Sequence, residues 1–196
     1  LQKLYPDADI QVTGFENTKR IGDNSFDMVI SNFPFGSFQV YDKARPEYSK
    51  QAIHKYFFSR AIDAVKPGGL VMGITSHFTL DAGGTGKVRE MWGQKADLVA
   101  AVRLPGTAFE KNAGTQVTTD IIILRKKTDT PYQGEQFRHL AEVQTPEGPT
   151  QINEYFVQHP EMVLGEHSLQ GSMYGGKDES TLKQSKSEDL NAALER

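Results

Sequence analysis

The sequence contains no cysteine, which excludes disulfides and cysteine-based zinc sites and leaves the redox compartment open. Its five histidines show no i, i+4 pairing and no companion carboxylate cluster, so no metal site is expected. No apolar run approaches the ~20 residues needed to cross a bilayer, and no membrane partner is expected. An excess of positive charge is also missing. The formal net charge is −3, so no global field attracts a polyanion, although a local basic surface would suffice for one. The chain opens Leu1-Gln2-Lys3-Leu4, with no initiator methionine and no signal-like segment. It reads as a piece of a longer protein, with the cytoplasm as the expected compartment.

What is present is concentrated before about position 125, where most of the apolar residues fall. The 196 residues are enough for one domain with a real core. Ile10 to Gly14 alternates apolar and polar and predicts a short strand, with Phe15-Glu16 at its end. Phe26-Asp27-Met28-Val29-Ile30 is a nearly continuous apolar run, as a strand covered on both faces should be. Ser49 is a candidate cap for a helix carrying Ile53, Phe57, Ala61, Ala64 and Val65 on one face. Lys66-Pro67-Gly68-Gly69 stops that helix. Leu70 to Thr75, Leu98 to Val102 and Val117 to Leu124 predict three more strands, with a short helix around Val88, Met91 and Trp92. Alternating strands and helices indicate an α/β domain with a mainly parallel sheet. The last two strands have no helical pattern between them, which permits an antiparallel final strand. Beyond Lys127 the pattern fades to one short helix around Ile152, Tyr155, Phe156 and Val157.

In open parallel sheets, ligands bind beyond the carboxyl ends of the strands. Polar or aromatic groups fall there at Phe15-Glu16, Asn32 to Gly36, Ser76-His77-Phe78 and the loop after Arg103. The stretch Ser31-Asn32-Phe33-Pro34-Phe35-Gly36 is the most specific. An asparagine amide offers a carbonyl acceptor. The residue before a proline is pushed to extended backbone, which holds the Phe33 carbonyl in one direction. Two such acceptors can take both hydrogens of an exocyclic amine. Phe35 can stack on the flat ring that carries it. The bland alternative is a structural turn with a greasy residue on each side.

Other features read more simply. Gly83-Gly84-Thr85-Gly86-Lys87-Val88 lacks phosphate-loop spacing and has valine where a magnesium-binding hydroxyl is required. It reads as a surface loop, with Lys87 and Arg89 as candidate contacts to a polyanion backbone. His77 reads as a supporting or solvated histidine and Trp92 as core. Arg125-Lys126-Lys127 reads as a solvated strand end, with DNA phosphate as the alternative.

The segment around Asn32 resembles the Asn-Pro-Pro-Phe/Tyr motif of S-adenosylmethionine-dependent methyltransferases acting on adenine N6, here Asn-Phe-Pro-Phe. Further matches are Phe26 to Ser31, Lys66 to Val71, Ala100 to Pro105 and Thr118 to Leu124. Asn112-Ala113-Gly114-Thr115 and His159 to Gly165 point to methylase domains inside large phage, plasmid and conjugative methylase–helicase proteins. The likeness covers residues 5 to about 165. Phe33 replaces the first proline of the motif. The acceptor there is a backbone carbonyl, which any residue supplies. The glycine-rich Phe-x-Gly-x-Gly donor motif has no match, so the chain reads as lacking the N-terminal cofactor motif.

The resemblance implies the C-terminal part of a Rossmann-like class I methyltransferase sheet, mainly parallel with an antiparallel last strand. It implies S-adenosylmethionine as cofactor, DNA with a flipped adenine as partner, and a helicase domain in the same parent chain. Asn32, Phe33, Pro34 and Phe35 become the catalytic set, and Phe15 and Glu16 the cofactor contacts. The domain reading is 1–127 methyltransferase-like, 128–170 an extension, and 171–196 a flexible linker toward a further domain. By this reading the chain supplies the target-base half of a restriction–modification type enzyme and is inactive alone. The alternatives are an inactive methylase-like DNA-binding module, or N-methylation of RNA or of protein glutamine.

Overall fold

The structure is a computed structural model and describes residues 2–18, 21–36, 38–110, 116–171, 179–185 and 189–195. The matched segment Asn112 to Thr115 lies outside the described residues. A four-stranded sheet forms the centre, built from β1 (Phe26–Asn32), β2 (Val65–Ser76), β3 (Ala96–Leu104) and β4 (Thr119–Lys126) in the order β1-β2-β4-β3. β2 pairs parallel with β1, and β4 lies antiparallel between β2 and β3. Three strands therefore run one way and the last runs against them. That is the expected mixed α/β sheet, and it brings three carboxyl ends to one rim.

Helix α1 (Ile53–Ala64) crosses from β1 to β2. It buries Phe58, Ala61 and Ile62 in the main core together with Val65, Leu80, Trp92, Leu98, Ile122 and Leu124. Its start differs from the expected one. Ala52 occupies the N-cap, and Ser49 closes a 3-10 turn, Pro46–Tyr48, where its hydroxyl bonds Asp42. The helix ends at Ala64, and Lys66-Pro67-Gly68-Gly69 already belongs to β2. Gly68 takes a φ of +80°, a conformation that glycine adopts without strain.

The segment Ile10 to Gly14 is not a strand. It is almost wholly exposed, and Val12 is 99% exposed. Strand pairing needs a neighbour, and here nothing in the described chain offers these residues a ladder.

Past β2 come α2 (Phe78–Asp81), a 3-10 turn (Gly83–Thr85) and α3 (Gly86–Lys95). Trp92 is core, as expected; its indole N–H donates to Ser59 Oγ at 2.9 Å. The C-terminal part is richer in strands than its composition suggests. β5 (Leu140–Thr145) and β6 (Gly148–Asn153) make a hairpin that leads into α4 (Glu154–Gln158). Ile152 thus lies in a strand, not in the helix expected around it. β7 (Glu166–Gly171) pairs antiparallel with β8 (Glu179–Lys183), and α5 (Leu190–Leu194) follows. β8 and α5 fall within 171–196, the stretch expected as a linker. This part closes over the sheet rim: Gly106 N–H donates to Leu182 O at 2.9 Å, and Leu164 N–H to Arg103 O at 2.9 Å.

Candidate active site

The sheet register sets the site. Asn32 pairs with Ile74 at the end of β1, Ser76 with Thr119, and Arg103 with Asp120. The ends of β1, β2 and β3 and the start of β4 therefore share one rim, which holds three of the four expected groups.

Asn32 is the last residue of β1, and its side chain is exposed. Phe33 continues the ladder by one bond, its N–H donating to Ile74 O at 2.9 Å. Its ring is 3% exposed and packs edge-on to Phe58 at 4.4 Å. The phenyl therefore plugs the core while the backbone stays at the rim. Packing of the ring thus fixes the segment at the position where the resembled motif has a proline. Gly73 on β2 makes the room: a Cβ there would come 2.5 Å from the Phe33 ring. Among the described residues, no donor engages the Asn32 side chain or the Phe33 carbonyl. Two acceptors from consecutive residues thus have no donor among the described residues. Pro34, Phe35 and Gly36 are half-buried.

The next residues are held rigidly. His54 Nδ1 meets Gly36 O at 3.3 Å, and Ile53 N–H donates to Phe38 O at 2.9 Å. Burial, with the Lys55 charge beside it, lowers the His54 imidazole to about 4. It is neutral at physiological pH and donates through Nδ1. The loop beyond is tied to α1 by Asp42, which is fully buried. Asp42 accepts from the Ala44 and Arg45 amides and from Tyr56 OH at 2.7 Å, and it faces Arg60 Nε at 3.4 Å. Asp63 accepts from Tyr48 OH at 2.7 Å and Lys95 Nζ at 2.8 Å.

Phe15 and Glu16 sit in a 3-10 turn, Phe15–Asn17, and both are half-buried. Phe15 stacks on Phe57 at 5.0 Å, and Phe57 lies 6.0 Å from Phe33. A row of rings thus connects Phe15 to the motif. The Glu16 carboxylate accepts from Asn17 at 2.7 Å.

His77, just past β2, is 3% exposed. Its Nδ1 meets Thr118 O at 3.1 Å, and its ring packs against Phe78 at 4.0 Å. Burial and the nearby Arg103 charge lower it to about 4. It supports the rim as a neutral residue.

Sequence reasoning missed the charged knot beneath the rim. Arg103 grips Asp120 through Nε and a terminal nitrogen at 2.8 and 2.9 Å. Its two terminal nitrogens also reach Asp81 at 2.7 and 2.9 Å. All three are buried, and the guanidinium lies 4.1 Å over the Phe156 ring. The two carboxylates hold Arg103 charged against the cost of burial. Asp81 also accepts from Asn153 N–H at 2.8 Å, which moors the C-terminal hairpin. A signal was available: Asp120 directly precedes the apolar run Ile121 to Leu124 of β4, and a buried charge demands a partner.

Arg89 is not a candidate DNA contact. It is 2% exposed and spends its donors on the carbonyls of Leu80, Ala82 and Arg138. The Arg125-Lys126-Lys127 run is at the opposite end of the sheet. There Arg125 covers the Tyr132 ring, Lys126 bonds Asn24, Asp63 O and Val65 O, and Lys127 faces Asp97.

The family model for the N-6 DNA Methylase matches residues 5–153. A curated relative, the Defense against restriction protein B of Escherichia phage P1, is 31% identical over 127 residues. That match takes in 64% of this chain and 6% of the phage protein. Among solved structures, a protein of Listeria monocytogenes described as a class I S-adenosylmethionine-dependent methyltransferase aligns with a TM-score of 0.49 and 21% identity, over 61% of this chain and 37% of that one. The M protein of the type I restriction enzyme EcoKI aligns with a TM-score of 0.44 and 15% identity, over 87% and 46%. These structural likenesses are too slight to carry an argument.

Proposed function

The chain belongs to the N-6 DNA methylase family, and on that footing we propose that it supplies the target-base half of an enzyme that methylates adenine N6 in DNA. The observation that carries this reading is the pair of unengaged acceptors, the Asn32 side-chain carbonyl and the Phe33 main-chain carbonyl, at the end of β1. A duplex adenine is inaccessible, so the base is flipped out to reach them. Asn32 and the Phe33 carbonyl accept both N6 hydrogens, which draws the amine away from conjugation with the ring and frees its lone pair. Phe35 stacks on the base. Pro34 holds the Phe33 carbonyl in direction.

S-adenosylmethionine, when bound, supplies the electrophilic methyl group. Phe15 and Glu16 fit its adenosine end: one offers apolar ring surface beside the motif, the other a carboxylate for hydroxyls. With the donor held by Phe15 and Glu16, Asn32 and the Phe33 carbonyl would present the N6 lone pair to its methyl group, the methyl–sulfur electron pair staying with the donor and the N6 proton passing to solvent once the nitrogen is positively charged. The two acceptors are placed where that charge develops, so catalysis rests on positioning and electrostatics and needs no strong base.

Methyl transfer by the full-length protein to DNA, RNA and protein, with labelled S-adenosylmethionine, tests this reading. DNA is the expected acceptor, and Asn32→Ala is expected to slow transfer by about a hundredfold. An Asn32→Ala protein that methylates DNA at the wild-type rate overturns the assignment. A second reading, a methylase-like DNA-binding module without catalysis, draws on the small donor-side set of Phe15 and Glu16. Calorimetric binding of one S-adenosylmethionine per chain argues against it.

A further inference from the structure

We infer that the cavity between the start of α1 and the start of α3 is an anion site that holds a backbone phosphate of the DNA; this rests on the DNA reading above. The cavity has a volume of about 390 Å³ and is lined by Lys50, Lys55 and Lys87, with Glu47 the only carboxylate among its described lining residues. Three cations against one anion leave it net positive. Among the described residues, none of the three ammonium groups has an ion-pair or hydrogen-bond partner. Lys50 and Lys87 are exposed, whereas Lys55 is half-buried. An unpaired ammonium in a half-buried position is held at a cost that a bound anion relieves.

The backbone adds to this. Both α1 and α3 begin at the cavity, and neither has an acidic residue in its first turn. Their positive dipole ends therefore add to the lysine field without internal neutralisation. Burial lowers the Lys55 ammonium, with the Arg89 charge acting the same way. Arg89 itself is spent on carbonyls, including that of Ala82 at 3.1 Å, and so anchors the Gly83–Thr85 turn that presents Lys87.

The position suits the chemistry. Lys55 directly follows His54, whose imidazole bonds the Gly36 carbonyl at the end of the base-gripping motif. A phosphate seated at Lys55 is thus coupled through one residue to the loop that grips the base. Holding the strand here resists withdrawal of a flipped nucleotide. The lysines read no base, so the contribution is to affinity and register, not to sequence choice.

The test is the salt dependence of duplex binding by the full-length protein, measured by fluorescence anisotropy. Each phosphate contact contributes about 0.9 to the slope of log K against log salt. Lys50→Gln/Lys87→Gln, both at exposed positions, is expected to lower the slope by up to about 1 and to weaken binding several-fold. Lys55→Gln is expected to lower it by about 1, with thermal melting as the folding control. Lys127→Gln, at the far end of the sheet, is expected to leave the slope unchanged. An unchanged slope in both cavity variants overturns this assignment while leaving the methylase reading intact. A wild-type protein whose duplex affinity shows no salt dependence overturns the phosphate site and the DNA reading together.

Discussion

The ring of Phe33 fills the space over Gly73, on the neighbouring strand, so closely that a single added methyl would overlap it. The core plug and the carbonyl proposed to grip the target amine belong to the same residue. Gly73→Ala is therefore expected to push Phe33 outward and to cost about 1–3 kcal/mol of stability. Methyl transfer should fall by more than the lost stability explains, because the carbonyl moves with the ring. Comparing urea midpoints with single-turnover rates checks this. A variant that loses stability but keeps its rate would separate the plug from the site.

The Arg103–Asp120 pair is buried and doubly bonded. Asp120→Asn leaves the shape but removes the charge, and breaking such a pair costs about 3–5 kcal/mol. Arg103 keeps Asp81, so the lower end of that range is expected, read from the urea midpoint at unchanged slope. Arg103→Lys should also destabilise, since an ammonium cannot span two carboxylates as a guanidinium does.

Stability should fall as the solution is acidified. Burial lowers His54, His77 and His167 from 6.5 to about 4. Unfolding returns each to its ordinary value, so the unfolded chain binds more protons between the two. Their contribution is complete above about pH 6.5 and is lost as pH falls toward about 4. For His77, which faces Arg103, Asp81 and His167, the full effect is about 3 kcal/mol. Urea unfolding at about pH 7, 5.5 and 4.5 measures the slope. His77→Gln should flatten it, and an identical slope in that variant would remove His77 from the account.

Asp42 ties the loop after the motif to α1 through Tyr56 and Arg60 and braces the loop itself through the Ala44 and Arg45 amides. Asp42→Ala leaves Tyr56 OH and the Ala44 amide without their acceptor, at a cost of about 1–3 kcal/mol for each buried group left unmet. Hydrogen exchange should quicken at Ala44 and Arg45, while amides of β4 stay protected.

Much of the fold, and the residue types of the candidate site, were legible because both depend on local chemistry. Apolar runs of strand length and a helix with a periodic face set the order of elements. Asn32, Pro34 and Phe35 carry their chemistry in residue type. The short strand at Ile10 to Gly14 was misread because alternation costs nothing when no partner strand is present. Ser49 was misread because its hydroxyl has a better use at Asp42. The C-terminal strands were hidden because a polar hairpin gains its stability from the surface it covers and not from its own pattern.

The chemistry that the stretch Asn32 to Gly36 offers is set by sequence alone, since an acceptor amide, a proline and an aromatic ring keep their properties wherever they stand. Only the tertiary structure decided that Phe33 points inward while its carbonyl meets no donor among the described residues, that Arg103 meets Asp81 and Asp120, and that three lysines 5 to 37 positions apart share one cavity. Those outcomes depend on which strands become neighbours. Charge attraction and close packing act through space, and separation along the chain carries no record of them.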